Sequence, residues 1–487
     1  MFSSTMFLSI LPEILILVIA ILILVVEPFW KEEKRRNVGW LTAGGLLAAM
    51  VISLLFGQPG EPTTTLGGMV RFDWLGFFFK MLFMFAGAAT ALLFMDNEKI
   101  GHRGEAYLLL LASLLGMDLM AVSSDLVMLY LAIETTSIPL YILSGFMLAD
   151  DKSTEAGFKY LLFGALASTI MLYGFSLVFG FAGTTDIYQL AEMLKAGALA
   201  PLTAFGTLAL ILVGLGFKVS LVPFHFWAPD VYEGAPTPVS GFLSTASKAA
   251  GFAVLVRLLF VAFPEDILPD LSRAWTVTIA ILSAGTIAVR NLVTFQQTNI
   301  KRLLAYLSIA HAGYALIGVV ALSQLGAASV VFYMAAYIAT NLLAFGIVMA
   351  FSRVTGLDEI TDYAGLSRRS PMLGLMMLAA FLSLAGMPPF GGFVAKVFVF
   401  AAGVEAGYTW LVVVGILNSI VGVYYYLNVL KYVYLYRMPN EDEENNPIPT
   451  TRPYTIALVV LVVGVILIGT LFAPWFSWSD AAALSLF

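Results

Sequence analysis

The sequence has no cysteine in its 487 residues. That absence removes disulfides, thiolate nucleophiles, iron–sulfur clusters and thiolate zinc sites together. Histidine is almost as scarce. His102, His225 and His311 are the three, far apart and without metal-ligand spacing. Charged residues make up only 11% of the chain, where a soluble domain carries roughly 25%. The net charge of −6 comes mostly from loops and implies no nucleic-acid partner. No soluble domain fits between the apolar segments. The longest gaps, 182–203 and 437–453, read as loops or short surface helices.

What fills the chain is apolar: 60% of residues are hydrophobic and the mean hydropathy is +0.92. Runs of about 20 apolar residues recur from end to end, each long enough to cross a bilayer as a helix. Only helices and closed barrels satisfy the backbone in lipid, and these runs lack a barrel's alternation of polar and apolar residues. The expected fold is therefore an all-α polytopic membrane protein. About fourteen transmembrane helices are predicted, near 6–27, 38–56, 73–95, 106–121, 125–147, 155–181, 204–224, 237–262, 275–293, 302–321, 327–351, 371–402, 409–436 and 454–474. The first apolar stretch, about Phe7 to Val26, has no basic segment before it and contains Glu13, so it reads as a retained helix and not a cleaved signal.

Summing lysine and arginine over alternate loops puts sixteen on one side and only Arg71, Lys195 and Arg273 on the other. By the positive-inside rule both termini lie outside the cytoplasm and the helix count is even. The acidic run Glu441-Asp442-Glu443-Glu444 then falls in a cytoplasmic loop, where it reads as solvated.

Six basic residues remain inside helices: Lys80, Lys159, Lys218, Lys248, Arg257 and Lys396. Glu134 joins them near the middle of helix 5. An ionisable residue at the bilayer centre costs about 2.5–3.5 kcal/mol on insertion scales, so it should face the interior and find a partner. Lys80 and Arg257 are long enough to snorkel to an interface and are read that way. Lys159 lies only a turn or so into helix 6, and position alone leaves it open between structure and function. Glu134, Lys218, Lys248 and Lys396 are too deep for easy snorkelling. Two readings stand for them: static buried ion pairs, or a proton relay, since burial disfavours the charged form of a lysine and lets it gain and lose a proton.

Two of these lysines sit beside helix breaks. Pro223 follows Lys218 by five residues, and Gly386-Met387-Pro388-Pro389-Phe390-Gly391-Gly392 precedes Lys396. Breaks at membrane depth are tolerated where they line a polar cavity or ion site. His225 lies just past the first break and His311 within helix 10. A lone histidine is usually a packing residue, but a pKa near 6.5 suits a proton shuttle, and both readings stay open. The aromatic residues, Tyr424-Tyr425-Tyr426 among them, are assigned no chemistry. Gly214-Leu215-Gly216-Phe217-Lys218 is not a phosphate loop, because it lies inside an apolar helix.

The segment from Pro223-Phe224-His225-Phe226-Trp227-Ala228-Pro229-Asp230 to Val231-Tyr232-Glu233-Gly234-Ala235-Pro236-Thr237-Pro238 resembles the signature of the antiporter-like membrane subunits of respiratory complex I. Asn299-Ile300-Lys301-Arg302-Leu303-Leu304-Ala305-Tyr306 and Leu384-Ala385-Gly386-Met387-Pro388-Pro389-Phe390 add to the resemblance, which covers nearly the whole chain. Leu11-Pro12-Glu13 and Lys159-Tyr160-Leu161-Leu162-Phe163-Gly164-Ala165 are most similar to the N-type branch.

The resemblance implies a three-helix N-terminal segment (1–105) and two inverted five-helix repeats, helices 4–8 (106–262) and 9–13 (263–436). Helices 7 and 12 would be broken, and residues 437–487 would hold a loop and helix 14. Direct comparison of the two halves finds only the Pro-Phe pairs in common, so the repeat rests on the family. By matching position, Glu134 and Lys218 would form a coupled pair, Lys248 the central relay and Lys396 the link to the opposite half-channel. Lys159, His225 and His311 would support the path. The resemblance implies a proton-translocating subunit of an NADH:quinone oxidoreductase in an energy-transducing inner membrane, beside other membrane subunits. No redox centre is expected in this chain; NADH, FMN, iron–sulfur clusters and quinone would belong to partner subunits. The rival readings are a subunit of a multi-subunit Na+/H+ antiporter, the membrane arm of an energy-converting hydrogenase, or a scaffold with static charges.

Overall fold

A computed structural model describes residues 4–97, 99–263, 269–437 and 446–487. The acidic run at 441–444 lies outside the described residues. In lipid the backbone must pair with itself, and the described chain is accordingly a bundle of helices. They are α1 (Leu11–Val26), α2 (Val38–Phe56), α3 (Trp74–Phe94), α4 (Gly104–Val122), α5 (Leu126–Ser144) and α6 (Asp151–Ala182). Helix 7 is split into α7a (Pro201–Val219) and α7b (Trp227–Gly234), and α8 (Thr237–Ala262) follows. Then come α9 (Pro269–Thr294), α10 (Ile300–Val320), α11 (Gln324–Thr355), the split α12a (Pro371–Ala385) and α12b (Gly391–Glu405), α13 (Thr409–Tyr434) and α14 (Arg452–Thr470). Among the described residues twelve helices are long and apolar enough to span a bilayer, and α12a and Arg273–Val289 within α9 are shorter apolar stretches. Together these account for the fourteen expected spans.

The helix ends follow from local chemistry. Asp73, Asp125, Asp150, Asn299 and Ser323 each turn a side-chain oxygen onto the first free amides of the helix they precede, which satisfies donors that no helix can pair internally. Asp150 starts α6 four residues earlier than the apolar pattern predicts. Between α2 and α3 a short antiparallel hairpin, β1 (Thr63–Thr65) and β2 (Val70–Phe72), caps one face of the bundle.

Helices α8, α10 and α11 form the core and are buried along nearly their whole length, whereas α1, α2 and α13 expose most of one side. A local arrangement recurs between the two halves. Leu126 N donates to Thr185 O at 2.8 Å, tying the start of α5 to the end of α6, and Ile300 N donates to Asp358 O at 2.8 Å, tying the start of α10 to the end of α11. Isolated bridges Asp125–Asp186 and Asn299–Glu359 mark the same places.

Candidate functional site

Both breaks lie where the sequence puts them, and each is resolved differently. Helix α7a stops at Val219 because Ser220 takes a left-handed conformation (φ 59°). The chain runs on through a cis Val222–Pro223 bond before α7b begins. The Phe217 carbonyl at this end accepts from the Trp227 indole at 3.2 Å, and Val222 N donates to the Thr286 hydroxyl at 3.1 Å. Trp227 stacks on Tyr160 with ring centroids 4.4 Å apart, so aromatic residues seal the break.

In helix 12 the turn is made at Gly386 (φ 84°), where an L side chain would be strained and a Cβ would meet the Lys396 side chain at 2.9 Å. The carbonyls at the end of α12a are not left free. Lys396 Nζ donates to Leu384 O at 3.1 Å and Ala385 O at 3.0 Å, and to the Ser419 hydroxyl of α13 at 2.8 Å. Lys396 is thus itself the cap of the broken helix. Its ammonium also lies 5.0 Å from the centre of the Tyr314 ring.

Lys218, in the last turn of α7a, donates to the Ser137 hydroxyl of α5 at 3.0 Å. Ser137 is one turn along from Glu134. Glu134 is half-buried, and its Oε1 has no hydrogen-bond partner among the described residues. The two charges are within electrostatic reach but form no ion pair. Pro139, inside α5, removes the bond to the Thr135 carbonyl beside Glu134, a break the sequence reading passed over.

The side chain of Lys218 packs against α8 at Gly251, whose added Cβ would meet Lys218 Cγ at 3.3 Å. One turn before Gly251, Lys248 follows a single π-helical turn, Leu243–Ser247, a distortion common at functional sites. Lys248 Nζ donates to the Ser308 hydroxyl of α10 in a short hydrogen bond and lies 5.8 Å from the Tyr232 ring centre. Among the described residues, no carboxylate is within ion-pair distance of Lys218 or Lys248.

Ser308 is one turn before His311. The His311 ring shares hydrogen bonds with Tyr333 at 2.6 Å and Tyr426 at 3.2 Å. Tyr337 lies against it at 5.1 Å and accepts from Asn341, which also donates to Ser244 at 2.7 Å in the π-helical turn. A small cavity lined by His311, Tyr337, Thr340, Ser383 and Leu384 continues from here to the break in helix 12. Polar groups therefore run from Lys248 to the neighbourhood of Lys396.

Two expected members stand apart from this row. Lys159 pairs with Glu155 at 2.6 Å and with Asp230 of α7b at 2.5 Å, and Asp230 and Glu233 both hold Arg302. This is a partly exposed network joining α6, α7b and α10, not a direct partner of Lys218. His225 lies in the helix-7 break, half-buried, with Nδ1 unbonded among the described residues.

Lys80 and Arg257 correct the snorkelling expectation. Both are buried, at 3% and 2% exposure. Lys80 pairs with Glu13 at 2.7 Å, and Arg257 makes a two-pronged contact with Asp73 at 2.6 and 2.8 Å. Arg257 also donates to Ala121 O and to the Tyr188 hydroxyl at 2.8 Å each. Partners this good remove the reason to reach for water. Glu13, Asp73, Asp118 and the serines at 137, 308 and 419 were missed as members of these clusters; a buried cation in a helix is itself the signal to look for them.

A polytopic helix bundle with two broken helices and a buried row of lysines, tyrosines and a histidine defines an antiporter-like membrane protein. Residues 123–422 match the family described as NADH:quinone oxidoreductase/Mrp antiporter, transmembrane. NADH-quinone oxidoreductase subunit N of Moorella thermoacetica is 45% identical over 94% of each chain, and that of Heliobacterium modesticaldum 41% over 94% of each. The chain belongs to this family, in its subunit N branch. A chain of respiratory complex I from Thermus thermophilus, solved with bound aureothin, superposes with a TM-score of 0.79 at 32% identity, covering 96% of this chain and 98% of that one. A chain of the Mrp complex from Dietzia sp. has a TM-score of 0.86 at 20% identity, over 100% and 98%, and so shares the fold alone.

Proposed function

We propose that this chain is the N-type membrane subunit of a proton-pumping NADH:quinone oxidoreductase, and that it moves a proton along Glu134, Lys218, Lys248, His311 and Lys396. The observation that carries this reading is the kind of partner each cation has. Lys80 and Arg257 are held by carboxylates, which makes them static. Lys218 and Lys248 are held by serine hydroxyls, and a lysine bonded to a neutral acceptor can lose its proton without stranding a buried carboxylate. Withdrawal or approach of Glu134 changes the field at Lys218, and the proton would pass by Lys248, Ser308 and His311 to Lys396. Moving one charge against 100 mV costs about 2.3 kcal/mol, which a pKa swing of a few units, at about 1.4 kcal/mol each, supplies.

Lys159 and His225 would serve the same path from the flank, Lys159 through Asp230 and His225 at the helix-7 break. The matching ties at the starts of α5 and α10 support two inverted repeats, helices 4–8 and 9–13. The uneven distribution of lysine and arginine supports an orientation with both termini outside the cytoplasm, and the family favours an inner, energy-transducing membrane. NADH, FMN, iron–sulfur clusters and quinone would be held by partner subunits, and the other membrane subunits of the complex would flank this one. The relatives favour this reading over a Na+/H+ antiporter or a hydrogenase arm. Purification in mild detergent tests it: NADH-dehydrogenase subunits should accompany the chain, and recovery with small antiporter subunits instead would contradict it.

A further inference from the structure

The bundle holds a second buried charge cluster that the lysine row does not use. Lys80 of α3 is ion-paired with Glu13 of α1 at 2.7 Å and donates to the Ser9 carbonyl at 2.9 Å. Asp118 of α4 is fully buried, and neither of its carboxylate oxygens has a hydrogen-bond partner among the described residues. Its carboxyl lies within electrostatic reach of Glu13 and Lys80.

Two acids and one base leave a net negative charge if all three are ionised. An unpaired buried carboxylate is so costly that such a group normally neutralises instead. The other nearby charges do not relieve it. Arg257 of α8, bonded to Ala121 one turn along α4, is saturated by both oxygens of Asp73, the residue that caps α3. Helix α2 carries no titratable residue, and Glu134 of α5 acts on Lys218. The ammonium of Lys80 already fills the place of a cation, so one proton completes the balance.

We propose that Asp118, beside the Glu13–Lys80 pair, is a second proton-binding site, separate from the Glu134–Lys218–Lys248–Lys396 row and close to the face capped by the 57–72 segment. Ser9, Gly57, Asp73, Phe77 and Lys80 line a tight seam beneath that segment, beside the Lys80 end of the cluster. A proton drawn from solvent forms an O–H bond on Asp118 and is returned to solvent when the site empties.

The test is pH-difference infrared spectroscopy on the whole complex in lipid vesicles, comparing wild type with Asp118→Asn, Glu13→Gln and Lys80→Met. Wild type should show a titrating protonated-carboxyl band that D118N loses. E13Q and K80M, which change the neighbouring charge in opposite directions, should move its midpoint in opposite senses. Replacing sodium by potassium should leave the midpoint unchanged. Identical spectra for wild type and D118N overturn the proposal. So does a band lost in E13Q but kept in D118N, which would place the proton on Glu13, and so does a midpoint that follows sodium. Should D118N fail to assemble, a wild-type band whose midpoint neither E13Q nor K80M moves overturns it equally.

Discussion

The Lys218 ammonium donates to the Ser137 hydroxyl at 3.0 Å, one helical turn from Glu134, and not to Glu134 itself. The lysine therefore has a neutral resting partner, while the acid next to it is half-buried with one oxygen unbonded. Replacing Ser137 by alanine removes that neutral partner and leaves a buried donor unmet, at about 1–3 kcal/mol. Proton transfer per quinone reduced should fall in S137A while quinone reduction by the partner subunits continues.

Ser308→Ala makes the corresponding change at Lys248, whose short bond to Ser308 joins α8 to the His311 turn of α10. Pumping should drop at least several-fold, and Ser308→Thr, which keeps the hydroxyl, should restore much of it. Equal pumping by S308A and wild type would remove Ser308 from the path.

The Asp73–Arg257 pair predicts a structural defect instead. Removing one partner of a buried pair costs about 3–5 kcal/mol. Asp73→Ala should lower the thermal midpoint of the complex or its yield, and the complex that does assemble should keep its ratio of protons to quinone. The double change Asp73→Asn with Arg257→Met should recover most of the stability, because no uncompensated charge remains and asparagine still caps α3.

Lys159 should behave more mildly in stability. Its side chain is about a third exposed, and exposed ion pairs contribute about 0–1 kcal/mol. Lys159→Gln should leave the thermal midpoint close to wild type, and any loss of pumping then reports its place on the flank of the path.

Gly392→Ala should fail at assembly. A Cβ there would sit 1.9 Å from the Ser383 carbonyl oxygen, a backbone contact that only separation of α12a from α12b relieves. A thermal midpoint equal to wild type would contradict the close approach that the break requires.

Much of the fold was legible because lipid makes hydropathy decisive: each span needs its own apolar run, and Pro223 and Pro388-Pro389 announce the interruptions. The depth of Lys218, Lys248 and Lys396 was legible for the same reason. Their partners were not. Asp73 and Arg257 are 184 residues apart, and nothing local distinguishes Arg257 held by Asp73 from an arginine reaching for the interface. Glu13 entered the sequence reading as a mark of a retained helix and as part of the N-type resemblance, not as the partner of Lys80. Ser137, Ser308 and Ser419 look like ordinary helix serines until the neighbouring helix places a lysine against each. The capping of α12a by Lys396 is a property of the fold of the break, which the positions of the prolines do not specify.

The central claim is that Glu134 and Lys218 drive a proton along the buried row. Its most direct test is the number of protons moved per quinone reduced in the assembled enzyme carrying Lys218→Ala or Glu134→Ala. The account predicts a reduced ratio in each variant with the electron-transfer arm intact, and undiminished pumping in both would contradict it.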